Sequence, residues 1–145
     1  RMRFVTDWKA QLEKLNRELV AKERAEQERR AAVLKHFRSL LDQLEPVVKT
    51  AAEFGDAFGA TCAWEISRFY DRYPFLEFRV LRPPLEYRVE CRDGVLWERL
   101  REGGGAAREQ TTNLEALQPR EFEKKIMKWV QDAANANRKV PGRRR

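Results

Sequence analysis

The run LEYRVECRDGVLWERLR, residues 85–101, decides how this chain folds. Leu85, Tyr87, Val89 and Cys91 alternate with Glu86, Arg88 and Glu90, the two-residue period of a strand with one buried face. Asp93-Gly94 follows, and then Val95 opens a second run. An Asp-Gly pair between alternating runs is the strongest short-range hairpin signal, because both central residues of a type I′ turn need positive φ. A two-residue turn sets the register: Arg92 pairs with Val95, Cys91 with Leu96, Glu90 with Trp97, Val89 with Glu98, and Arg88 with Arg99. Tyr87, Val89, Cys91, Leu96 and Leu100 then make a core face, while Arg88, Glu90, Arg92, Trp97 and Arg99 share the opposite one.

Outward from the hairpin, Leu76, Phe78 and Val80 alternate with Glu77 and Arg79 as a preceding strand. Pro83-Pro84 cannot form a tight I′ turn, so the register between that strand and the hairpin stays open. Residues 62–70 fit a strand through Cys62, Trp64 and Ile66, and a helix through Ile66, Phe69, Tyr70 and Tyr73; the strand reading is preferred. Downstream, Gly103-Gly104-Gly105 opens what reads as a flexible loop to about Asn113. It lacks the Gly-Lys-Ser/Thr of a phosphate-binding loop. Pro119 then starts a helix whose buried stripe is Phe122, Ile126, Trp129, Val130 and Ala133.

Upstream, residues 6–45 read as one long helix capped by Thr6 or Asp7, with neither Gly nor Pro between Trp8 and Glu45. Its seam runs Trp8, Leu12, Leu15, Leu19, Lys22, Glu26, Arg29, Val33, His36, Leu40, apolar at both ends and charged in the middle. Glu13 with Arg17, Glu18 with Lys22 and Glu26 with Arg30 stand in the favourable i, i+4 order, each worth ~0.2–0.5 kcal/mol. The middle can therefore stay helical without a packed face, as in an arm or a coiled coil. Pro46 is expected to break or kink this helix, and Val47, Ala51, Phe54 and Phe58 form a second helix closed by Gly55 and Gly59. The expected fold is α+β: a long, coiled-coil-like N-terminal helix, a second helix, a three- to four-stranded antiparallel sheet and a C-terminal helix. Residues 1–45 form the arm, 46–137 a small α+β domain, and 138–145 a basic tail expected to be disordered. Helices on either side of antiparallel hairpins argue against a doubly wound nucleotide fold.

Charge sharpens the functional expectation. The 145 residues carry a net +7. Five bases (Arg138, Lys139, Arg143, Arg144, Arg145) lie in the last eight residues, so the remainder is nearly neutral. Long-range attraction to nucleic acid or anionic lipid must come largely from that tail. No apolar run approaches the ~18–20 residues of a membrane span. With no secretory signal in view, a cytoplasmic setting is expected. Cys62 and Cys91 are too few for a disulfide scaffold. His36 sits on a helix with no nucleophile motif near it, and metal-ligand spacing is missing, so neither catalysis nor a cofactor is expected.

Leu117-Gln118-Pro119-Arg120-Glu121-Phe122-Glu123 resembles the Leu-x-Pro-x-x-Phe-Glu start of the first helix in Mrr-type restriction endonuclease domains. That family's metal-binding carboxylates and lysine lie downstream of the helix, outside the likeness. A proline opening an amphipathic helix with acids in its first turn accounts for it physically. No activity is carried over. The preferred expectation is a non-enzymatic interaction module whose arm pairs with a second copy or with another helical protein through Trp8, Leu12, Leu15 and Leu19. The alternative is nucleic-acid or anion binding by Arg88, Trp97 and Arg99 on the sheet together with the basic tail.

Overall fold

The structure, a computed structural model, describes residues 2–68 and 73–138. Helix α1 runs from Met2 to Phe58 without interruption. Five strands follow: β1 (Cys62–Ser67), β2 (Phe75–Val80), β3 (Leu85–Arg92), β4 (Val95–Glu102) and β5 (Arg108–Thr112). They form an antiparallel sheet in the order β1-β2-β3-β4-β5, each strand beside its neighbour in sequence. A 3-10 turn at Glu115–Leu117 leads into α2 (Pro119–Arg138). The second half of α1 and all of α2 pack on each other and on one face of the sheet. The other sheet face is open.

The β3–β4 hairpin has the register that its Asp-Gly turn requires, from Arg92 opposite Val95 to Arg88 opposite Arg99. Asp93 and Gly94 adopt φ of 52° and 76°, both positive as a I′ turn demands. The Pro-Pro connection places Val80 opposite Leu85. Residues 62–67 are a strand, with Cys62, Trp64 and Ile66 packed against the core.

Three expectations need correcting. The sheet has five strands rather than three or four, because Arg108–Thr112, read as loop, pairs along β4 from Leu100↔Arg108 to Leu96↔Thr112. Pro46 does not end the helix. Phe37, Leu40, Leu41 and Leu44 before it and Val48, Ala51 and Ala52 after it are one buried stripe, so breaking the helix would lose that packing. Pro46 and Asp42 are both exposed, so the carbonyl that loses its donor is on the water side. Arg68, just after β1, holds the same stretch by pairing with Asp42 (2.7 Å) and Glu45 (3.5 Å). Consequently there is no separate second helix, and the stretch 1–45 set apart as an arm includes four core residues. Finally, the helix already runs from Met2, so Thr6 and Asp7 lie inside it rather than capping it.

Gly59, at φ 87°, ends α1, and the Ala60 N–H donates to the Gly55 carbonyl (2.7 Å) in a Schellman arrangement. The Asn137 side chain donates to the Gly59 and Arg82 carbonyls (2.8 and 2.9 Å), tying the end of α2 to the end of α1 and to the β2–β3 turn. At the other end of the packed region, Gly94 presses on Arg30: a Cβ there would stand 2.8 Å from the Arg30 Cα. That contact marks where the body takes hold of α1.

Candidate partner-binding surfaces

N-terminal to the Gly94 contact, residues 7–29 of α1 are exposed apart from the half-buried Glu26. At ~1.5 Å per residue they project about 35 Å beyond the body. Trp8, Leu12, Leu15 and Leu19 are 46–58% exposed. The helical repeat relates them to the core. Leu15 and Val33 lie 18 residues apart, as do Leu19 and Phe37, and 18 residues is about five turns at 3.6 per turn. Trp8 and Leu44 are 36 residues apart, about ten turns. The arm's apolar seam is thus the same face of the same helix that the body covers further along. Between the two apolar stretches, Glu26 accepts from Arg29 (2.7 Å) and Arg30 (3.2 Å). The Arg29 hydrogen bond leads in lowering the Glu26 pKa to about 2, so this link stays charged at any ordinary pH.

The open face of the sheet brings together the other expected residues. One row across it reads Glu65, Glu77, Arg88, Arg99, Glu109; the next reads Phe75, Glu90, Trp97, Thr111. Arg79 does not join the Arg88 row: it pairs with Glu86 one step along, and Glu77 takes the place opposite Arg88. Arg88 bonds Glu77 (3.1 Å) and lies 3.8 Å from the Phe75 ring centroid. Arg92 pairs with Glu109 (2.5 Å) and stacks on Trp97 (4.9 Å). Arg99 is exposed and makes no ion pair among the described residues. The result is a shallow concavity of about 420 Å³ in which arginines and glutamates interleave. It is a neutralised lattice rather than a basic groove.

Sequence reasoning missed Glu98. Alternation puts it on the core face between Leu96 and Leu100, where it is 6% exposed. The Tyr87 hydroxyl donates to it (2.7 Å), as does the Lys125 ammonium of α2 (3.0 Å). Burial pushes the Glu98 carboxyl up, but hydrogen bonds from Tyr87, Lys125 and Thr112 outweigh it, and the pKa lies below the ordinary value. Burial and the Glu98 charge hold the Tyr87 phenol well above its ordinary value, so it stays protonated. The group ties α2 to the sheet. The signal was available: a glutamate at a core position of a strand must find a donor elsewhere in the fold.

Cys62 and Cys91 are free thiols. Burial pushes Cys62 up to about 11 and raises Cys91 too, which keeps both protonated and weakly nucleophilic. His36 is exposed on α1. Arg138 is the last residue of α2, its guanidinium 5.7 Å from the Phe58 ring. Lys139, Arg143, Arg144 and Arg145 lie outside the described residues. Among the described residues no group of three His, Cys, Asp or Glu could hold a metal ion, and no helix is long and apolar enough to cross a membrane. Set against family models, curated proteins and solved structures, the chain matches none.

Proposed function

We propose that this chain is a non-enzymatic assembly module in which the projecting half of α1 joins the α+β body to another helix, in a second copy or in a helical protein. The observation that carries this is the exposed seam of Trp8, Leu12, Leu15 and Leu19 in phase with the buried stripe of the same helix. An apolar face on a helix stabilises its protein only when something covers it, and none of the described residues of the same copy does so here. Sedimentation of the intact chain beside a Leu12→Glu/Leu15→Glu variant tests the reading. Both residues lie outside the core, so the variant keeps the body's thermal transition. The intact chain is expected to assemble with rising concentration and the variant to stay a monomer. Identical sedimentation of the two as monomers overturns self-assembly.

The nucleic-acid reading draws less support. Glu77, Glu90 and Glu109 engage Arg88 and Arg92, leaving Arg99 and Arg101 on that face, with the tail, to attract an anion. It predicts affinity for single-stranded DNA that falls steeply with salt, and absence of binding at low salt disposes of it.

A further inference from the structure

We infer that the arm's occupant is the arm of a second copy running antiparallel, with Trp8 beside the partner's Leu19 and Leu12 beside the partner's Leu15. This rests on the assembly reading above and adds the partner and its direction. The first argument is phase. Because the seam and the core stripe share one face of α1, the body lies on the side toward which the seam points. Parallel pairing would bring the two helix axes to about 8–10 Å. Each body, with its α2 and sheet, would then have to occupy the space between them. Antiparallel overlap of residues 8–19 instead carries each body past the partner's Met2, the first described residue of its arm, so that the two bodies lie at opposite ends of the pair.

The second argument is charge. With Trp8 and Leu15 at d and Leu12 and Leu19 at a, the flanking g positions are Gln11 and Glu18, and the e positions are Lys9, Asn16 and Glu23. Parallel pairing sets g against the following e, so Glu18 meets the partner's Glu23 on both sides and Lys22 meets the partner's Lys22 in the seam. Antiparallel pairing sets g against g and e against e. Gln11 then meets the partner's Glu18 and Lys9 the partner's Asn16, with no like charges opposed. The seam is about two heptads long, so the pairing depends on protein concentration.

Small-angle X-ray scattering of the full chain, with the mass fixed by sedimentation equilibrium, tests this. An antiparallel dimer separates the two bodies by about 100 Å along the helices, which gives a second maximum in the pair-distance distribution near that value. Gln11→Lys, which sets a cation opposite the partner's Glu18, tightens such a dimer several-fold. A dimer that Leu12→Glu/Leu15→Glu dissociates but whose bodies scatter side by side overturns the antiparallel pairing and leaves the assembly reading intact. A monomer at every concentration, unchanged by those substitutions, overturns the pairing and self-assembly together and leaves a different helical protein as the arm's partner.

Discussion

Residues 8–19 and 37–52 are two stretches of one helix with the same apolar spacing on the same face, yet they have opposite fates. Phe37, Leu41, Leu44 and Val48 are fully buried under α2 and the sheet, while Trp8, Leu12, Leu15 and Leu19 keep about half their surface in water. Periodicity therefore reports that a face wants cover and says nothing of where the cover comes from. Here the dividing point is the Gly94–Arg30 contact. C-terminal to it, the chain supplies its own cover. N-terminal to it, a local network of Glu26, Arg29 and Arg30 supports the helix in water.

The sharpest way to break this contrast is to truncate one residue of each stretch five turns apart. Phe37→Ala is expected to cost about 3–5 kcal/mol in chemical denaturation. Leu19→Ala at low protein concentration should change unfolding by less than about 0.5 kcal/mol, and comparable losses would mean the arm belongs to the body's cooperative unit. Gly94→Ala probes the boundary itself. With φ at 76° and the Arg30 backbone in the way, a methyl group costs about 1–3 kcal/mol, read as a lowered denaturation midpoint.

Glu98→Ala tests what holds α2 to the sheet. It leaves the buried Tyr87 hydroxyl without its acceptor, a loss of about 1–3 kcal/mol. The pH dependence has a definite sign. The Glu98 pKa is depressed in the folded state, so its contribution is present above the ordinary carboxylate value of 4.5 and is lost as pH falls below it. Tyr87 is raised, so its contribution is present below pH 10 and is lost as pH climbs beyond that. Urea titrations across both limbs should show the acid limb flattened in the Glu98→Ala variant. The smallest effect belongs to Glu26→Gln, which lowers helical circular dichroism slightly and leaves the body's melting temperature where it was; a shift in that temperature would show the link to be part of the core.

The hairpin was legible down to its register because Asp93-Gly94 permits one turn type and that turn permits one pairing. The arm's exposure was legible as a charged interruption in an apolar seam. Strand β5 was not, since Arg-Glu-Gln-Thr-Thr has no apolar alternation and is held by its ladder with β4 rather than by burial. Pro46 misled because a local rule about backbone donors was outweighed by packing on both sides of it. The neutral lattice on the open sheet face depended on the β2–β3 register, which Pro83-Pro84 left unspecified and which puts Glu77 opposite Arg88.

The same β5 has a bearing on how this chain can coexist with itself. An open sheet edge is a template on which further strands can be added, the route by which many proteins grow into fibrils. Here that edge is five residues long and carries charged, amide and hydroxyl side chains, all but one of them exposed. Such a rim offers an incoming strand no dry, interlocking surface. Molecules that display bare tryptophan and leucine can therefore crowd together without cross-β growth being seeded at this edge.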